Sequence, residues 1–288
     1  MRYLWVIVVS SQTNTGPALS TLRWLVAAGA DEAIEGAPSN RFVSKPDHAI
    51  DRRPKSRSEG VAGGDAVPDG SIIEGPAEFT GFEAVPEDAR YSALASPTIA
   101  ELRVAVEGFN GCALKRTATN TVFSDGNPCA DLMLVGEAPG AEEDRTGIPF
   151  VGSAGRLLDR MLAAIDRDRN SVYVSNILFW RPPGNRNPTN EEIALCLPFV
   201  ERHIALVRPR VLVLVGGIAA KTLLGRNEGI TRLRGKWYRY SPDGNGGPID
   251  TTAIFHPAFL LRKGHQKRET WQDLIAIRAR LTETLATH

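Results

Sequence analysis

The residue types able to do chemistry in this chain gather in short loops that follow apolar runs. The densest loop is Gly136-Glu137-Ala138-Pro139-Gly140-Ala141-Glu142-Glu143-Asp144, continued by Gly147-Ile148-Pro149-Phe150-Val151-Gly152, after the apolar run Leu132–Val135. Gly136 and Gly140 allow close backbone approach, and Pro139 stiffens the turn. Glu137, Glu142, Glu143 and Asp144 make the loop acidic, so it is no phosphate cradle. Chemistry on a base or a sugar suits it better. Asn176 closes a second apolar run, Val172–Ile177, and His256 follows a third at 251–255, before Pro257. A carboxylate can stabilise developing positive charge, an imidazole developing negative charge, and an Asn amide both donates and accepts.

These loops need elements to carry them. Leu132–Val135 reads as a buried parallel strand, and Ser153 as the N-cap of a helix over 153–165. Val172–Ile177 is the next strand. Thr189, with Glu191 and Glu192 in the first turn, opens a helix to about Val207. Val211–Val215 is the most apolar strand, followed by a helix over 218–224. A strand at 251–255 and a helix at 266–286, with Trp271, Leu274, Ile275, Ile277 and Leu281 inward, complete the pattern. Strands alternating with helices predict an α/β fold, a three-layer α/β/α sandwich around a central, mostly parallel four-stranded sheet. Open α/β sheets bind ligands beyond the carboxyl ends of their strands, so the three polar loops can converge on one edge. Upstream, Thr98–Val106 reads as a helix and 108–128 as a loop with an extended piece at Thr121–Phe123. The Gly-rich stretch 225–250 holds Arg232, Arg234, Lys236 and Arg239 around Trp237 and Tyr238: a phosphate-tracking patch or a solvated hairpin.

The chain has 288 residues, 42% hydrophobic, enough for a sizeable core. Its net charge of +1 conceals an asymmetry: residues 31–95 hold 13 acidic and 7 basic side chains, residues 96–288 hold 20 and 25. A mildly basic module thus follows an acidic segment, which permits nucleic-acid binding. Three cysteines, an odd number, fit a reducing compartment better than a disulfide framework. No run approaches the ~20 apolar residues of a membrane span. Tyr3–Val9 reads as a short buried strand, or as the result of a start codon placed too early, rather than as an export signal, and 17–29 as a small helix. The expected organisation is an N-terminal strand/helix extension at 1–36, a disordered Pro/Gly-rich acidic linker at 37–95, and a catalytic domain at 96–288.

Three motifs, GEAPGAEED…GIPFVG, NILFWRPPGNRNPT and IFHPAFLLR, in this order and spacing, resemble the uracil-DNA glycosylase superfamily, most closely family 4. The resemblance covers about residues 97–288. It implies a monofunctional enzyme of base-excision repair that flips deoxyuridine out of DNA and cleaves its N-glycosidic bond. A non-catalytic damaged-DNA binder of the same fold, or a glycosylase of broader specificity, is the alternative. By the same resemblance Glu137 and Asn185 position the attacking water, and His256 stabilises the departing base. Phe150 stacks on the base, Asn176 reads its edge, and Ala138 lies against it. Glu143 either crowds the C5 side of the base or is simply an acid in a helix's first turn. Leu260 is the expected wedge into the vacated stack, with Arg262, Arg234 and Lys236 on DNA. The implied partner is uracil-containing DNA, with no membrane, and the implied setting a monomer on the bacterial nucleoid in the cytoplasm.

Family 4 members carry a [4Fe–4S] cluster on four cysteines. The aligned positions here read Phe109, Cys112, Trp180 and Cys196. Phe and Trp cannot ligate iron and such a cluster needs four thiolates. The expectation is therefore no cofactor and no metal, with Phe109 and Trp180 filling the volume; Cys129 lies outside the pattern.

Overall fold

The computed structural model describes residues 72–73, 87–242 and 247–286, without the side chains of 72–73 and 284–286. The strand and helix expected within 1–36 lie outside the described residues. The strands are β1 (Ile72–Ile73), β2 (Asp125–Gly126), β3 (Leu132–Gly136), β4 (Tyr173–Asn176), β5 (Val211–Val215), β6 (Trp237–Tyr240) and β7 (Ile249–Ile254). They form one sheet in the order β1-β6-β7-β5-β3-β4-β2. The four expected strands are its parallel centre, β7-β5-β3-β4. β6 and β2 flank them antiparallel, so the sheet is mixed.

Helices cover both faces: α1 (Glu87–Leu94), α2 (Ile99–Gly108), α3 (Ala141–Thr146), α4 (Ser153–Ala163), α5 (Asn190–Val207), α6 (Gly217–Leu224), α7 (Ile230–Leu233), α8 (Pro257–Arg262) and α9 (Lys267–Ala286). Alternation along the strands explains the layers. Met133, Val135, Leu212 and Leu214 face one core with Leu102, Phe199 and Ala220. Leu132, Leu134, Val211 and Val213 face the other with Leu157, Met161, Leu274 and Ile277. Strands buried on both sides read as unbroken apolar runs, as these do. Thr189 Oγ1 accepts the Glu192 amide and the Glu192 carboxylate accepts the Thr189 amide, closing the capping box that starts α5.

Two expectations change. Order begins before residue 96: α1 lies within the segment expected to be linker, with Ala89 and Ala93 fully buried against α5, and Ile72–Ile73 pair with Trp237–Tyr238. A helix that docks through two alanines one turn apart leaves no trace among large apolar residues. The stretch 225–250 is likewise more than a hairpin, holding α7 and β6, whose Trp237 and Tyr238 are buried. Among the described residues no helix is long and apolar enough to cross a membrane.

Candidate active site

The loops after β3, β4 and β7 meet around a cavity of about 400 Å³, walled by Glu137, Ala138, Glu143, Phe150, Asn176, Asn185, His256 and Arg262 among others. Eight of the eleven expected site residues border it; Leu260, Arg234 and Lys236 do not. Strand register brings the first two loops together, because Gly136 and Asn176 are paired at the strand ends. The ladder continues beyond the sheet, with Ile177 N–H donating to Gly136 O and Leu178 N–H to Glu137 O.

Gly136 leaves a slot that nothing larger could leave. A Cβ there would stand 2.4 Å from Asn176 Oδ1 and 2.5 Å from the Phe150 ring edge. Asn176 is 2% exposed, and its Oδ1 has no hydrogen-bond partner. A buried amide oxygen left unpaired costs about 1–3 kcal/mol, which a donor brought into the cavity would recover. Phe150 has φ 56°, in the left-handed region, and its carbonyl presses on Gly155, where a Cβ would sit 1.7 Å away. Such a backbone costs a bulky residue roughly 1–2 kcal/mol and persists only where its surroundings hold it. The carboxylate of Glu143 is one holder: Oε1 accepts from Val151 N–H (3.0 Å) and Gly152 N–H (2.9 Å), Oε2 from Gly140 N–H (3.0 Å).

His256 caps α8: its Nδ1 accepts the Ala258 amide at 3.1 Å, so a neutral ring carries its proton on Nε2. Burial, aided by the Arg262 charge, lowers its pKa to about 4. The ring stacks 5.7 Å from that of Phe150. Burial raises the pKa of Glu137. The cavity therefore offers a poorly solvated carboxylate, a neutral imidazole donor and an unpaired amide acceptor beside an aromatic face. Asn185 adopts φ 55° at the end of a short 3-10 turn, and its Oδ1 accepts from Arg181 Nε at 2.7 Å. The amide nitrogen is the atom this leaves for a water. Next to it Arg186 grips Glu192 with both arms (2.9 and 2.5 Å), tying this loop to the start of α5.

A family model described as the uracil DNA glycosylase superfamily matches residues 123–275, just over half of the chain. The chain belongs to the uracil-DNA glycosylase superfamily. It is 40% identical to the Type-4 uracil-DNA glycosylase of Archaeoglobus fulgidus over 166 residues, covering 56% of this chain and 82% of that protein. Against the Type-4 uracil-DNA glycosylase of Pyrobaculum aerophilum it is 35% identical, covering 60% and 90%. A Type-5 uracil-DNA glycosylase of the same organism is 28% identical, covering 51% and 70%.

Within this superfamily the aligned cluster positions do not fit an iron–sulfur group. Trp180 is 1% exposed, its indole N–H donating to Thr121 Oγ1 at 3.0 Å, and Phe179 meets it edge-on. Phe109 folds over Gly111 and packs edge-on against Phe199 at 5.1 Å. Cys112 and Cys196, both fully buried, hydrogen-bond to each other, which lowers the Cys112 thiol to about 7 and pushes Cys196 up. Two thiols and two aromatic rings fill the space, and among the described residues no group of three His, Cys, Asp or Glu could hold a metal.

Two expected DNA contacts, Leu260 and Arg234, are corrected. Leu260 is 0% exposed, in the core with Leu158 and Phe255, because the first turn of α8 aims it inward. The next residue, Leu261, is 46% exposed beside the exposed Arg262. Arg234 is spent on Asp273, with Nε and Nη2 bonds of 2.9 and 2.7 Å, and on the Glu269 carbonyl. Lys236 is exposed at the start of β6, away from the cavity. Gly136 was singled out for close backbone approach, but Gly155 was not legible, since a missing side chain signals nothing until its neighbours are known. The sequence did not fix which face of α8 turns inward, and the expected Leu260 is the buried residue of the pair.

Proposed function

We propose that the chain is a monofunctional uracil-DNA glycosylase, releasing uracil from DNA and leaving an abasic site for base-excision repair. The observation that carries this reading is the buried, unpartnered Oδ1 of Asn176 beside the Phe150 ring. Uracil N3–H supplies the missing donor, and the Asn176 amide N–H donates to O4. Cytosine reverses both positions and leaves buried groups unpaired, a mismatch that discriminates by orders of magnitude. The flipped base stacks on Phe150, which favours any base by ~1–3 kcal/mol. Glu143, fixed by three backbone amides, walls the C5 side. The Nε2–H of His256 donates to O2.

Breaking the glycosidic bond leaves its electron pair on uracil and positive charge on the deoxyribose. His256 stabilises the first and the Glu137 carboxylate the second, as preorganised groups in a poorly solvated site. Glu137 and the Asn185 amide orient the water, whose oxygen bonds to the anomeric carbon as its proton passes to the Glu137 carboxylate. Leu261, the exposed residue, fills the vacated stack with Arg262 beside it. The protein works as a monomer on chromosomal DNA, without an iron–sulfur cluster, and its catalytic domain begins near Glu87.

Alkali-induced scission of end-labelled oligonucleotides tests this. Wild-type protein is expected to nick uracil strands and spare cytosine and thymine strands, with Asn176→Leu at least 100-fold slower. Leu261→Ala should lose more on duplex than on single strands. Failure of wild-type protein to nick uracil strands, or equal cleavage of cytosine, would refute the assignment.

A further inference from the structure

The turn that presents Phe150 is held from both sides by opposite charges, and only one of them belongs to a family motif. Glu143 accepts the amides that follow Phe150. The carbonyls that precede and include it are taken by Arg169, from the loop between α4 and β4: Nη2 donates to Phe150 O at 2.5 Å and Nη1 to Pro149 O at 3.2 Å. The same guanidinium is itself anchored, Nε to Asp159 Oδ1 at 2.6 Å on α4 and Nη1 to Asp125 Oδ2 at 3.1 Å on β2. A planar fork with fixed donor directions is the group suited to bridging two carbonyls and two carboxylates at once; an ammonium is not. Arg169 lines no part of the cavity.

We propose that Arg169 is a positioning residue for base stacking: by holding the Pro149 and Phe150 carbonyls it keeps Phe150 in its left-handed conformation, with the ring beside Asn176. A left-handed aromatic relaxes to negative φ unless restrained. Relaxation would rotate the ring away from the Gly136 slot, and the base would lose its platform while the DNA-backbone contacts stayed. The inference rests on the uracil reading of the cavity.

The test compares full-length wild type, Arg169→Met and Arg169→Lys. Free uracil inhibits through the base platform alone, whereas binding of a duplex with a pre-formed abasic site reads the remaining contacts. For Arg169→Met we expect uracil inhibition about ten-fold weaker, the equivalent of a lost stack, and a raised KM for uracil DNA. Abasic-duplex affinity should stay unchanged and kcat should fall less than KM rises. Arg169→Lys, one donor group without the fork, should fall between. In a Phe150→Ala background Arg169→Met should add no further loss of uracil affinity, which a merely structural role would still produce. Unchanged uracil inhibition in a folded Arg169→Met, or a full additional loss in the Phe150→Ala background, overturns the proposal. If Arg169→Met does not fold, Arg169→Lys decides by the same readings. Should wild-type protein neither cleave nor bind uracil, the functional reading fails separately. The crystal structure of the Arg169 variant then decides: φ of residue 150 turning negative supports the clamp, and φ kept near its present value refutes it.

Discussion

Because Nδ1 of His256 is committed to the Ala258 amide, protonating this ring would break a helix cap as well as charge a largely buried group. Its pKa near 4 against an ordinary 6.5 means the folded protein excludes a proton that the unfolded chain binds between those values. Stability from this group is therefore complete above pH 6.5 and is lost as pH falls toward 4, by on the order of 3 kcal/mol. His203, fully buried on Tyr173 and lowered to about 3, acts in the same direction. Thermal melts from pH 7 to 4 should show this fall, and His256→Gln should flatten part of it. In catalysis the two titrating groups separate. His256 stays neutral through the neutral range, so the acid limb of kcat/KM belongs to Glu137, displaced above an ordinary carboxylate by burial. Glu137→Gln should abolish that limb and lower kcat about 10²–10³-fold with KM little changed. A limb that survives in Glu137→Gln would assign it elsewhere.

Among elements, the segment from Trp180 to Thr189 shows how a loop is held by side chains alone. Its near end is pinned by the Trp180 indole on Thr121, its middle by Arg181 on Asn185, and its far end by Arg186 on Glu192, which also caps α5. With four thiolates required and two present, purified protein is expected to carry less than stoichiometric iron and no visible cluster absorption. Trp180→Ala should cost about 3–5 kcal/mol, as for an emptied aromatic core site. Stoichiometric iron by elemental analysis would overturn this. The loops that end β3, β4 and β7 could be read in the chain because buried parallel strands announce themselves as apolar runs. What could not be read was how the loops are braced. Arg169 stands among Asp166, Arg167, Asp168 and Asn170, as polar as any turn, and its partners lie 10 to 44 residues away. Glu143 was legible as a site residue, but its bonds to three backbone amides follow from a fold-dependent approach of two loops that spacing does not encode.

For the whole molecule the open matter is where the working unit begins. Composition put the boundary at 96, because residues 37–95 are rich in Pro, Gly, Ser and charge, with only scattered large apolar side chains. The structure draws α1 onto α5 through Ala89 and Ala93, and Arg202 Nε donates to Ser96 O at 2.9 Å just after it. Small residues bury little area each, but they let two helices approach closely, so their loss uncovers the α5 face as well. A chain starting at residue 96 keeps Ser96 and its bond to Arg202 but forfeits the packing of α1 on α5. At about 0.8 kcal/mol per buried methyl-sized group, with the uncovered face added, its Tm should fall by about 5–10 °C. Turnover should not suffer at 25 °C, since no residue of α1 walls the cavity. A chain starting at 87 keeps α1 but loses the two-residue strand β1, so it should match the whole chain in turnover and melt between the other two. Melting curves and uracil-strand scission on the three chains separate the outcomes. A Tm unmoved by removal of α1 would return the boundary to 96, and an inactive chain from 87 would mean that residues 1–86 take part in the reaction itself.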